Sequence, residues 1–420
     1  MKKLFTSVGV IALGAAGLQA AYAPGLSSME TSKPWSISAS LRGFYDDNYT
    51  TSPKSTARDS FGFEVSPSAA LNLPLDQTFV GISYVYSMRY FEDRPSANAD
   101  HSHQFNGKLD HAFTERYKIE LSESFVIAQE PTVIDSRGIV TFPLRTDGDN
   151  IRNTASAYFT AQLTQLLGLQ LGYVNTLYDY EQKGVGSRSA VLDRMEHLIS
   201  ANLRWQALRQ TVAVLGYQFG YVDYTSSDAL FFLPPGVSGN DPSTRNNRSH
   251  YVFVGADQNI NAQLNGSVRV GAQFTEYFNS GNDTVSPYAD ASLTYTYLPG
   301  SYLQAGVRHE RNQTDVLAFS GTPGNITLDQ ESTSVYATVV HKLTAKITGS
   351  VLAQFQNSMF QGGTVDDSVD NFFLVGVNLA YRINPNWLAE TGYNYDRLDS
   401  DLSGRSYTRN RVYIGIRATY

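Results

Sequence analysis

Tyr407-Thr408-Arg409-Asn410-Arg411-Val412-Tyr413-Ile414-Gly415-Ile416-Arg417-Ala418-Thr419-Tyr420 closes the chain. Val412, Ile414, Ile416, Ala418 and Tyr420 share one parity, and Tyr413, Gly415, Arg417 and Thr419 the other. Successive strand side chains point to opposite sides, so this alternation describes a strand with one apolar and one polar face. A soluble sheet can end the same way, and the rest of the chain has to decide what the apolar face meets.

The pattern recurs throughout. In 35–45, Trp35, Ile37, Ala39 and Leu41 oppose Ser36, Ser38, Ser40 and Arg42. In 61–73, Phe61, Phe63, Val65, Ala69 and Leu71 oppose Glu64, Ser66, Ser68 and Asn72. Val80 to Met88 continues it. Further alternating segments fall near 103–113, 117–128, 151–164, 168–180, 193–205, 210–222, 249–258, 263–277, 287–297, 301–311, 330–343, 346–358, 370–382, 387–396 and 407–420. These make eighteen strands, with sixteen as the alternative count, because the apolar parity of 168–180 switches between Tyr173 and Tyr178. Most reach the ~9–11 residues that a tilted membrane strand needs.

Connections alternate too. Short turns lie at 74–77, 114–116, 165–167, 206–209, 259–262, 298–300, 344–345 and 384–386. Longer loops lie at 46–59, 91–102, 129–150, 181–192, 223–248, 278–286, 312–329, 359–369 and 397–406. Short turns on one side and long loops on the other are the habit of outer-membrane barrels, and an even strand count leaves both termini on the periplasmic side. Trp35, Trp205 and Trp387 then share the periplasmic rim, where amphipathic rings favour the headgroup boundary.

Composition agrees. Tyr (27), Phe (22) and Gly (33) are abundant, Trp (3) is rare and Cys is absent, which excludes a disulfide framework and cysteine-bound zinc. Mean hydropathy is −0.27, as expected when only alternate residues face lipid. Lys2 and Lys3, the apolar run Leu4–Leu18 and Gln19-Ala20-Ala21 read as a signal peptide over 1–20, with cleavage after Ala20. Its removal takes two lysines from a formal net charge of −7, leaving −9, which argues against nucleic acid. No composition break divides 21–420, so one barrel domain is expected. The fold class is therefore all-β: a transmembrane antiparallel up-and-down barrel in the bacterial outer membrane.

Two resemblances support this. A terminal strand ending on an aromatic, here Tyr420, resembles the signal by which outer-membrane barrels are recognised by the barrel-assembly machinery. Gly43-Phe44-Tyr45-Asp46-Asp47-Asn48-Tyr49 resembles the opening of the putative β-barrel porin-2 group of Gram-negative outer-membrane proteins. Members of such groups are mostly porin-like, and some stand near exopolysaccharide export systems. That implies a porin-like function, although a fold does not fix one.

Dedicated chemistry is sparse. Asp46-Asp47-Asn48, Asp147-Gly148-Asp149-Asn150 and Asp366-Asp367 offer oxygen ligands, but none has calcium-loop spacing and Asx residues form ordinary turns. His101-x-His103 sits at a loop-to-strand junction, and His111, His309 and His341 fall on apolar parity. No nucleophile elbow, phosphate-binding loop or zinc-protease motif is present. No catalytic, cofactor or metal site is expected.

The other parity carries the charge. Arg42, Glu64, Arg89, Lys108, Asp110, Lys118, Glu120, Arg152, Arg204, Arg269, Arg308, Glu390 and Arg417 are the expected lumen-lining residues. Unpaired in a dry core they would be costly, whereas barrels of ~16–18 strands can enclose water. The longest loop holds Ala229-Leu230-Phe231-Phe232-Leu233-Pro234-Pro235, and Phe231 and Phe232 are candidates for a constriction folded into the mouth. The expected partners are outer-membrane lipid, lipopolysaccharide, the assembly machinery and small hydrophilic solutes, with no cofactor. The expected function is passive diffusion. A non-catalytic part in polysaccharide or envelope export is the alternative, and a barrel enzyme ranks behind both.

Overall fold

The computed structural model describes residues 34–129, 133–134, 140–142, 148–232, 241–320 and 325–420. The proposed leader and the segment Leu233–Asn240 lie outside them. The first six barrel strands are β1 Trp35–Asp46, β2 Ser60–Pro74, β3 Thr78–Phe91, β4 Ala99–Ala112, β5 Tyr117–Ala128 and β6 Asn150–Gln162. Next come β7 Leu167–Tyr180, β8 Arg194–Leu208, β9 Thr211–Tyr224, β10 Asn247–Asn259, β11 Leu264–Tyr277 and β12 Asn282–Leu298. The last six are β13 Ser301–Asn312, β14 Asp329–Lys342, β15 Ile347–Gln361, β16 Val369–Arg382, β17 Trp387–Ser400 and β18 Tyr407–Thr419. Each pairs antiparallel with its neighbours in sequence, and β18 returns to β1, from Ser38↔Thr419 to Asp46↔Arg411. The sheet closes with eighteen strands, so no edge is left for lipid to solvate. No helix among the described residues is long and apolar enough to cross a membrane; strands make the crossing.

One device sets most short turns. The side-chain oxygens of Thr114, Thr164, Asn261, Thr344 and Asn384 each accept the backbone N–H groups two and three residues on. A short polar side chain thereby stands in for a backbone turn bond. The outward parity remains apolar and exposed, as at Ile37, Leu41, Ile82, Leu215, Val254 and Ile414. Trp35, Trp205 and Trp387 are exposed at the short-turn end.

Three expectations need correction or refinement. The 278–286 segment is a tight turn, because β12 already begins at Asn282 and pairs with Tyr277. Loop 181–192 contains a short helix, α1 (Arg188–Leu192), with Ser187 capping Ala190 N–H. The register of β7 is continuous with both neighbours, so its parity does not switch. Tyr178 and Tyr180 instead point inward beneath the outer loops: Arg194 lies 4.0 Å over the Tyr178 ring, and Tyr180 packs with Val191 and Leu192.

The ladder loosens at one place. β12 and β13 pair only as far as Ala289↔His309. The next pair but one would oppose Arg311 to Pro287, which has no N–H to give. Beyond this point Arg311 turns to Gln273 of β11, whose side-chain oxygen accepts the Arg311 N–H at 3.1 Å. It also donates from Nε to Ser286 of β12 at 2.9 Å.

Candidate functional site: inner wall and outer mouth

The inward parity assembles charge in groups that bridge strands. Arg42 donates from Nε to Glu390 at 2.5 Å and from Nη1 to Glu64 at 3.1 Å, while Glu64 also meets Arg89 at 3.1 Å. The side chains of Arg42, Glu64 and Glu390 are 6, 9 and 2% exposed. To reach Glu390 on β17, Arg42 must cross β18, and Gly415 makes room. A Cβ at Gly415 would lie 2.6 Å from Arg42 Cγ. Nearer the long loops Arg409 grips Asp46 at 2.5 Å. Elsewhere Asp257 joins Arg204 (2.8 Å) to Arg269 (2.5 Å), and Arg308 meets Glu310 (2.6 Å). Lys108 and Asp110 pair at 2.8 Å in a more open position.

Nine of the thirteen residues expected in the lumen thus join such groups: Arg42, Glu64, Arg89, Lys108, Asp110, Arg204, Arg269, Arg308 and Glu390. Lys118, Glu120, Arg152 and Arg417 also hold inward register positions. Pairing offsets part of the desolvation that each charge suffers against the wall.

The mouth is built by loops that meet from distant parts of the chain. A 3-10 turn, Pro242–Arg245, is capped by Asp241 and delivers Arg245, which has 0% exposure. Its guanidinium donates to the carbonyls of Val191 (2.9 Å), Thr314 (2.8 Å) and Leu328 (3.4 Å). Its carbon centre lies 4.7 Å over Tyr224. One cation therefore ties three loops together. Around it Ala190, Leu230, Tyr277, Ile326 and Leu328 form an apolar cluster with Phe231, Leu317 and Phe319. Phe231 packs against Phe319 with tilted rings 5.4 Å apart, whereas Phe232 stands 88% exposed, a correction to its expected burial.

Two further arginines lock the same region. Arg311 holds Asp329 (2.8 Å) and Glu331 (3.2 Å), and Tyr277 donates its hydroxyl to Asp329. Arg405 holds Asp315 (2.7 Å) and Asp370 (2.7 Å). Beside α1, burial pushes the Asp193 carboxyl above the usual range, against the hydrogen bonds it accepts from Ser189, Tyr180 N–H and Lys183.

The remaining candidates have other partners. Asp47 accepts from Asn410 N–H and Nδ2, each at 2.6 Å, and Asn48 closes its own turn by accepting Ser52 N–H at 3.0 Å. His101, His103, His197 and His250 each share a hydrogen bond with a tyrosine one diagonal step across the ladder, on the outward face. Among the described residues no group of three or more His, Asp or Glu is placed to hold a metal.

A closed eighteen-strand antiparallel sheet, apolar outside and charged inside, is an outer-membrane β-barrel of porin-like type. The family model described as putative beta-barrel porin 2 matches residues 236–420, which covers β10 to β18 and is less than half of the chain. The match falls on these C-terminal strands rather than on Gly43–Tyr49. No curated protein matches the sequence. Among solved structures, the outer membrane protein opdK from Pseudomonas aeruginosa is 11% identical with a TM-score of 0.45, over 92% of this chain and 99% of that one. A BenF-like porin from Pseudomonas fluorescens Pf-5 gives 11% and 0.47 over the same shares. The ferric enterobactin receptor of Pseudomonas aeruginosa gives 11% and 0.46 over 91 and 80%. Such scores carry no argument, and the barrel rests on its own closed ladder.

Proposed function

We propose that the protein is a passive aqueous channel for small hydrophilic solutes, narrowed at its outer mouth by its own loops, and that it has no catalytic role. The observation that carries this reading is the polar inner face of a sheet wide enough to hold water: charges of both signs run up the wall from Arg417 to Arg409 and Asp46. The thirteen inward residues named from the sequence are the proposed lining, and the Leu230–Phe231 cluster is the proposed constriction. Export through residues 1–20, assembly directed by Tyr420 and a rim in contact with lipopolysaccharide belong to the same proposal.

Planar-bilayer recording of the purified full chain tests it. Discrete conductance steps that scale with salt are expected. A folded barrel that gives no steps under any applied voltage would overturn the channel and favour a contact role in envelope export.

A further inference from the structure

The lipid-facing wall holds one residue out of place. Glu123 lies at the middle of β5, on the outward parity of Leu121 and Phe125, and is exposed. It makes no hydrogen bond or ion pair with any described residue. An ionised carboxylate facing hydrocarbon at mid-strand is unfavourable. The other outward charges stand near the long-loop ends, and several are already paired, Arg248 with Glu276 at 2.6 Å and Arg397 with Asp399 at 2.5 Å.

The surroundings of Glu123 are equally unusual. Its ladder partners on either side are Gly107 of β4 and Ala155 of β6. A Cβ at Gly107 would lie 3.8 Å from the Glu123 Cβ. These small residues, with Ala157, Ile82 and Tyr173, leave a shallow, open and largely apolar hollow that Glu123 lines. A concave apolar surface beside an exposed acceptor that lacks a donor is half of an interface.

We propose that this strip of β4–β7 docks a membrane-embedded partner chain, which fills the hollow with bulky apolar side chains and sets a lysine or arginine against Glu123. A second copy of this protein lacks the complement, since among the described residues no outward Lys or Arg lies at mid-strand. Lipid acyl chains would cover the apolar surface and leave the Glu123 carboxylate unmet.

The test uses the full chain in the outer membrane of living cells, with a photo-crosslinking amino acid at Ala157. The expected adduct joins a different polypeptide, through an apolar segment that contains Lys or Arg. Its yield should fall about tenfold in Glu123→Leu, the loss of one charge-assisted contact. Glu123→Asp should retain it. Glu123→Lys should recover capture only when the partner's basic residue is changed to Glu. Heat-modifiable migration of every variant reports folding, and Glu123→Leu, which suits a lipid face, should fold. Adducts with a second copy alone, with phospholipid alone, or with yields indifferent to residue 123 would each overturn the proposal.

Discussion

Tyr420 donates its backbone N–H to the carbonyl of Ile37 at 2.8 Å and accepts the Ile37 N–H at 3.2 Å, so the last residue stitches the barrel seam. Its ring, 72% exposed, leans on Trp35 at 5.7 Å. Two exchanged bonds are worth only about 0.5–1.5 kcal/mol each, too little to decide whether so large a sheet folds. Recognition during assembly is separable from the seam by substitution. Tyr420→Ala keeps both backbone bonds and loses the ring. It is expected to accumulate as protease-sensitive periplasmic protein without heat-modifiable migration. Normal membrane yield of Tyr420→Ala would assign the residue to the seam alone.

Truncating Arg42 to Ala leaves Glu390 buried without its cation, while Glu64 keeps Arg89. Breaking a buried pair in this way costs about 3–5 kcal/mol. The double variant Arg42→Ala, Glu390→Ala should recover a large part of that loss in urea unfolding followed by tryptophan fluorescence. Gly415→Val should mimic the single variant, because its side chain would collide with Arg42 Cγ and the Leu41 carbonyl. Equal stability of Gly415→Val and the parent would show that Arg42 reaches Glu390 by another route.

Replacing Arg245 by Met keeps an apolar stem and removes every donor. The carbonyls of Val191, Thr314 and Leu328 then lose the guanidinium that joins them, at about 1–3 kcal/mol for each one left buried and unsatisfied. Release of the loops is expected to raise single-channel conductance and to expose the segments around α1 and residues 313–328 to added protease on intact cells. Strand cores should keep their protection. Unchanged loop cleavage with unchanged conductance would mean that the apolar cluster alone closes the mouth.

The barrel was legible because its rule is local. Alternation at period two fixes which face each strand turns to lipid, and every one of the eighteen expected segments meets a strand. Tyr178 and Tyr180 broke the pattern for a reason the strand does not contain: the outer loops cover them from inside. The mouth obeys no such period. Arg245 finds its three carbonyls 54, 69 and 83 residues away, so nothing near Pro242–Arg245 announces the clamp. Gly415 reads as an ordinary small residue until Arg42 is seen crossing it. Inward charges were visible as a parity, but which of them pair depends on register between strands far apart in sequence, as with Arg42 and Glu390.

The two adjacent phenylalanines of the longest loop should behave differently. Phe231 meets Phe319 at 5.4 Å within the cluster that contains Leu230, and Phe232 is 88% exposed. An aromatic pair adds about 0.5–1.5 kcal/mol beyond its area, and a surface change away from contacts stays within about ±0.5 kcal/mol. Phe231→Ala is therefore expected to loosen the loop and increase the frequency of large conductance states, while Phe232→Ala leaves the recording unchanged. Deleting 229–239 removes Leu230 as well and should give the largest steady conductance of the three. If the deletion folds normally and conducts as the parent does, the cluster is not the constriction. The apolar loop would then be better explained as a surface for a partner outside the cell.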